Sequence, residues 1–97
     1  MPRFYFTYGT DERYPFCGGW TEVSAANIYE AQELFREHHP DIHKGMLNCA
    51  DYYTYGQMYA SGMLETRNFG YACHEIIDAD GVHTPPGVRR LSEGGYA

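Results

Sequence analysis

The fold is decided near the N-terminus by the stretch RFYFTY, residues 3–8. Its aromatic rings at even positions alternate with Tyr5 and Thr7, and a period of two is typical of a β-strand. The segment Trp20 to Val23 is a second short strand, and the loop from Gly9 to Gly19 is long enough for an antiparallel return. The sequence therefore predicts a pair of strands with an aromatic face.

From Asn27 the pattern changes to that of a helix. Apolar side chains recur on one face between Ile28 and His38, while charged side chains take the other face. Asn27 and Glu30 have the spacing of a capping box, and Pro40 prevents the helix from continuing. We expect this helix to pack on the first two strands.

The remaining elements are shorter. Thr54 and Gln57 again have capping-box spacing, and the turn at Asp78–Gly81 favours a hairpin. The predicted elements are a third strand at Met46–Cys49, a helix at Tyr55–Ser61 ending at Gly62, a strand at Gly70–Ile77 and a return strand at Val82–His83.

These elements predict an α+β fold. We expect a small, mostly antiparallel sheet in the order β-β-α-β-α-β, with an extra C-terminal strand and with the helices packed on one face. Residues 1–83 form a single domain and residues 84–97 an irregular tail. The second face of the sheet is then left for solvent or a partner.

The amino-acid composition argues against several classes of function. The chain has 97 residues and a net charge of −6, which argues against binding a nucleic-acid backbone. No apolar run is long enough to span a membrane, and no basic-then-apolar leader is present, so we expect a cytoplasmic protein without a membrane partner. Three cysteines form no recognisable disulfide framework and fit reduced thiols.

The sequence contains no catalytic or metal-binding signature. Cys73, His74 and Glu75 have suitable chemistry, but neighbouring strand residues point to opposite faces and cannot act as a pair. No Cys or His pair has the usual zinc spacing, because Pro40 interrupts His39 and His43. We therefore expect neither an enzyme, a metal site nor a cofactor. The Gly18–Gly19 pair indicates a tight bend or bulge.

Ten tyrosines and an acidic balance leave two kinds of binding protein. The first is an inhibitor that engages a basic groove of another protein through carboxylates and rings. These are Asp11, Glu12, Glu22 and Asp51, with Tyr5, Tyr8, Tyr14, Tyr52, Tyr53 and Tyr55.

The second binds a small nucleotide-like ligand, with a base on an aromatic ring and phosphates on arginines. The candidate residues are Phe16, Trp20 and Phe69, with Arg13, Arg67 and Arg89–Arg90. A homo-oligomer would be needed to deepen so shallow a site. An accessory domain without separable activity stays open as a third interpretation.

A resemblance to other proteins supports both the inhibitor and the nucleotide-binding interpretation. Several short motifs resemble small uncharacterised proteins of phages and mobile elements in gut Firmicutes. They are Phe4–Gly9, Tyr14–Phe16 with Gly18–Trp20, Ala31–Phe35, Leu47–Cys49 with Asp51, and Asn68–Gly70 with Cys73–Glu75. The resemblance implies a counter-defence factor in the bacterial host, either an inhibitor of a host defence protein, as anti-CRISPR proteins are, or a sponge for a cyclic-nucleotide signal. It assigns no functional residues.

Overall fold

A computed structural model describes residues 1–64 and 72–85. Within these ranges the chain forms five strands and two helices, in the order expected from the sequence. They are β1 (Arg3–Thr7), β2 (Trp20–Ser24), α1 (Ile28–His38), β3 (Asp51–Thr54), α2 (Tyr55–Ser61), β4 (Cys73–Asp78) and β5 (Gly81–His83). The α+β class is confirmed.

The strands form one sheet in the order β3-β1-β2-β4-β5. Three of the four pairings are antiparallel, and β2 pairs with β4 in parallel. β1 and β2 are in a register that places Tyr5 opposite Glu22 and Phe6 opposite Thr21. β3 and β5 are therefore the two edges of the sheet.

The helices lie on opposite faces of the sheet, and this corrects the expectation that both pack on one face. Phe6 stacks on Phe35 of α1 with ring centroids 4.5 Å apart. Tyr5, the next residue on β1, belongs to a separate buried cluster with Met58 of α2. Because successive strand residues point to opposite faces, the aromatic strand supplies both layers of the core.

The first core lies between the sheet and α1. It consists of Phe4, Phe6, Tyr8, Val23, Ala25, Ala31, Phe35, Cys49 and Ile77. The second core, under α2, consists of Tyr5, Trp20, Met58 and Cys73. Both faces of β1 are therefore buried. The sequence had predicted that the second face of the sheet would be left for solvent or a partner, and at β1 it is covered by α2 instead.

Both helix starts were predicted correctly. The Asn27 side chain accepts a hydrogen bond from the Glu30 backbone at 2.9 Å, and Thr54 and Gln57 form a complete capping box. Gly62 ends α2 in the left-handed conformation.

The third strand was placed too early in the chain. Met46 forms only an isolated bridge with His43, and the strand that pairs with β1 runs from Asp51 to Thr54. The cause is that Leu47 and Cys49, whose apolar character suggested a strand, pack on the first core from an irregular segment. The predicted start of the fourth strand at Gly70 and most of the predicted tail lie outside the described residues.

Candidate functional site

Two adjoining cavities lie on the α1 side of the molecule, and together they are called the groove here. The larger, about 330 Å³, opens between α1 and β3 and is flanked by Arg36 and Tyr52. The smaller, about 160 Å³, opens beside Tyr14 and Ile42. Both cavities are lined by Met46, Leu47, Cys49 and Ala50, and the half-buried Leu47 and the buried Cys49 form their floor.

The irregular segment after α1 is what creates the groove. Pro40 ends α1, and the chain then makes a short bridged turn in which the Met46 amide donates to the His43 carbonyl at 2.9 Å. It rejoins the sheet through the Ala50 amide, which donates to the Thr7 carbonyl at 2.8 Å. Ile42 and Met46 are left exposed at the rim, so the groove combines an apolar floor with exposed apolar contacts.

The two arginines beside the groove are already engaged by carboxylates. Arg13 binds both oxygens of Asp11, with its NH2 group 2.6 Å from Oδ2, and this hydrogen bonding lowers the pKa of Asp11 to about 2. Arg36 contacts Asp41 at 3.0 Å and Glu33 at 3.2 Å. Each guanidinium therefore already has a carboxylate partner, whose negative charge weakens its attraction for a phosphate.

The buried thiols are poor nucleophiles. Burial raises the pKa of Cys49 to about 12, and Asp51 and Asp41 add to the shift. Burial likewise raises the pKa of Cys73 to about 12. Both side chains therefore stay protonated at neutral pH, whereas a cysteine nucleophile must be a thiolate.

A polar network crosses the first core beside the groove. Thr21 donates to Glu75 at 2.9 Å, so the Tyr8 hydroxyl, 2.6 Å from Thr21 Oγ1, acts as donor to it. His39 contacts the same carboxylate oxygen of Glu75. Burial acts to raise the pKa of Glu75, but the hydrogen bonds from His39 and Thr21 outweigh it and lower the pKa.

This network joins β2, β4 and the residue after β1 to the end of α1, and sequence reasoning did not find it. Glu75 lies on the same face of the sheet as Ile77, and Thr21 on the same face as Val23, so both polar side chains face the first core. His39 follows the last residue of α1. The only signal was the polar character of these residues at core-facing positions.

His74 has a separate structural role. Its ring stacks on Phe16 at a centroid distance of 4.3 Å, and its Nε2 donates to the Gly18 carbonyl at 2.8 Å. Cys73 is buried under α2 with Trp20. Cys73 and His74 therefore do not form a catalytic pair.

The residues predicted to bind a partner or ligand lie in different parts of the structure. Tyr5, Tyr8 and Trp20 are buried, so these rings are core residues and not the exposed aromatic surface that the sequence predicted. Phe16 is half-buried against Tyr8 and His74. Arg67 and Phe69 lie outside the described residues.

The remaining predicted residues fall near the groove. Arg13, Tyr14 and Tyr52 line it, and Asp11 lies beside it through its pair with Arg13. Glu12 is exposed in the same loop as Asp11. Tyr53 is the exception, because it packs against the second core on the opposite face of the sheet, with its hydroxyl donating to Asp51. The sequence therefore identified part of the rim, while the apolar floor was taken for a strand.

Among residues 1–64 and 72–85, no three His, Cys, Asp or Glu side chains come together as a metal site. No helix in these ranges combines the length and the apolar character needed to cross a membrane.

The fold and the groove define an α+β domain with a surface suited to binding. No family model, curated protein or solved structure matches the chain.

Proposed function

We propose that this domain is a non-enzymatic binding protein that holds a segment of another protein in the groove. The observation that carries the proposal is the mainly apolar lining of the smaller cavity, where Ile42 and Met46 are exposed at the rim. Both arginines that flank the groove are engaged by carboxylates. Such a surface favours an apolar anchor from a partner over a phosphate.

The charge of the chain indicates the chemistry of the partner segment. The protein carries a net charge of −6. Asp51, which lines the larger cavity, and Glu12, the neighbour of Arg13 in sequence, are both exposed. A segment with one or two apolar anchors between basic residues would complement both features. β3 is an edge strand beside the larger cavity, so an extended segment could lie along it.

The biological role that we propose is based on the resemblance to phage and mobile-element proteins. In this proposal the partner is a host defence protein, and binding in the groove blocks a basic surface that the partner needs for its own activity. The protein would act in the bacterial cytoplasm.

A nucleotide sponge is less well supported by the described residues. One face of the Phe16 ring is stacked on His74, Trp20 is buried, and Arg13 is held by Asp11. These three do not converge on a common cavity. The inhibitor is therefore preferred.

The test compares two exposed apolar residues at different places in the fold. Ile42, in the groove, is 43% exposed, and Val82, on the far edge strand β5, is 46% exposed. Ile42→Glu should abolish capture of the partner from host lysate and reduce the affinity of the purified pair at least tenfold, whereas Val82→Glu should bind as the wild type does. Both variants should unfold within about 0.5 kcal/mol of the wild type.

Two outcomes would overturn the proposal. One is that Ile42→Glu and Val82→Glu capture the same protein equally well. The other is that no protein binds and mass spectrometry finds a nucleotide in the purified sample, which would favour the sponge.

A further inference from the structure

A third cavity lies on the other side of the sheet, under the start of α2. It measures about 160 Å³ and is lined by Arg3, Tyr5, Glu22, Tyr55 and Leu64. The register of β1 and β2 places Tyr5 directly opposite Glu22, and Tyr55 is the first residue of α2. The cavity is therefore built by three regular elements of the fold.

Glu22 gives this cavity a buried carboxyl group. The residue is only 6% exposed. Burial raises the pKa of its carboxyl, while the charge of Arg3 and a hydrogen bond with Tyr5 act in the opposite direction. Because folding has already removed this carboxylate from most of its water, a cation that reaches it meets a weakly screened charge.

The aromatic walls add a second contact for a cation. The rings of Tyr5 and Tyr55 lie 6.4 Å apart, and the guanidinium carbon of Arg3 sits 4.6 Å from the centre of the Tyr55 ring. An arginine over a tyrosine face with a carboxylate nearby is a recognised arrangement for guanidinium binding. The chain's own Arg3 shows which class of group the cavity accommodates.

The volume restricts the ligand to a small head group. Cavities that hold drug-sized molecules measure about 300 to 1,000 Å³, well above this one. A nucleotide would not fit, whereas one guanidinium group would. Arg3 is exposed at the first position of β1, so its side chain can leave the ring without disturbing the sheet.

We propose that this cavity binds the guanidinium group of an arginine from another protein, which takes the place of Arg3 over Tyr55 and pairs with Glu22. This site is on the face opposite the groove and is independent of it. The domain then has two recognition surfaces, one apolar and one specific for arginine.

The experiment titrates Nα-acetyl-arginine amide into the purified protein and follows binding by NMR. Removing the internal competitor with Arg3→Ala should tighten binding about two- to fivefold, because a cation–π contact of roughly 0.5 to 1 kcal/mol no longer competes. Glu22→Gln should remove detectable binding. The citrulline analogue, which has the same shape without the charge, should not bind.

A second pair of variants guards against a folding defect in Glu22→Gln. Tyr55 on α2 and Tyr29 on α1 are both exposed, and only Tyr55 lines the cavity. Tyr55→Leu should weaken binding of the arginine amide, and Tyr29→Leu should leave it unchanged. Ile42→Glu should also leave it unchanged, which separates this site from the groove.

The proposal fails if Arg3→Ala binds the arginine amide no more tightly than the wild type. Equal binding of arginine and citrulline amides would also exclude it, because the ligand charge would then be irrelevant. Equal loss in Tyr55→Leu and Tyr29→Leu would show that the effect does not come from the cavity.

Discussion

At the scale of single residues, two adjacent glycines have different reasons to be glycine. Gly18 and Gly19 both have positive φ, at 71° and 70°. A Cβ on Gly18 would meet no atom within 4 Å, whereas a Cβ on Gly19 would collide with the Ala72 carbonyl and lie 2.6 Å from His74 Nε2. Gly18 is therefore required only for its left-handed backbone conformation. Gly19 is required for that conformation and also because no side chain would fit beside Ala72.

This difference predicts unequal stability losses. Gly18→Ala should lower the free energy of unfolding by about 1 to 2 kcal/mol, the strain of a left-handed residue. Gly19→Ala should lose at least about 2 kcal/mol more, since the Ala72 backbone must also move. Chemical denaturation of both variants measures the two values, and equal losses would mean that the close approach to β4 is absent.

Two buried glutamates should respond to pH in opposite ways. The pKa of Glu75 is lowered in the folded protein, so its contribution to stability is present above 4.5, its ordinary value, and is lost as the pH falls through the lowered value. The pKa of Glu22 is raised, so its folded form favours the proton. The stabilisation contributed by Glu22 is therefore fully present below pH 4.5, and it declines as the pH rises through the raised pKa.

Neutral isosteres separate these effects. Glu75→Gln should flatten the acid side of the stability curve and destabilise the protein at neutral pH, since the amide cannot replace both charge-assisted contacts. Glu22→Gln should flatten the decline above pH 4.5. Urea denaturation across pH 3–8 gives the curves. The same change in slope for both variants would contradict the opposite shifts.

At the scale of elements, α2 is the shorter of the two helices in residues 1–64 and 72–85, and its position on the second face of the sheet can be tested. Met58 is its buried residue, fully inaccessible, whereas Met46 in the groove is 63% exposed. Met58→Ala should cost about 2 to 5 kcal/mol of unfolding free energy, while Met46→Ala should change it by less than about 0.5 kcal/mol. Thermal or urea denaturation compares them, and a small loss for Met58→Ala would show that α2 does not cover the second face.

Local patterns predicted most of the elements because their determinants are close together in sequence. Caps at Asn27 and Thr54 and the turn before β5 each depend on a few neighbouring residues. The position of α2 could not be predicted, because the face that a short helix covers depends on packing with Tyr5 and Trp20 far away in the sequence. For the same reason, the apolar segment at Leu47 was mistaken for a strand.

The candidate sites were predictable only in part. Tyr14, Tyr52 and Arg13 were identified from composition, but the pairing of Arg13 with Asp11 is a property of loop geometry. Glu22 was expected to be a surface charge. The register of β1 and β2 and the packing of α2 bury it instead, and neither is visible in a single sequence.

At the scale of the whole molecule, the two proposed binding sites lie on opposite faces of the sheet, one on the side of each helix. The groove lies on the α1 side and the Glu22 cavity on the α2 side, with the sheet between them. A partner that used both would have to wrap around the β3 edge, which joins the two faces. The two sets of variants described above report on each side separately.

The parallel pairing of β2 with β4 also governs the order in which the fold can form. It joins residues 20–24 to residues 73–78, whereas β4 and β5 are joined by a tight turn. Closing so long a loop loses chain entropy before any contact compensates, and it slows folding relative to local pairing. Until β4 has been synthesised, one edge of β2 stays open beside Trp20, so the nascent chain is exposed to misassembly until late in translation.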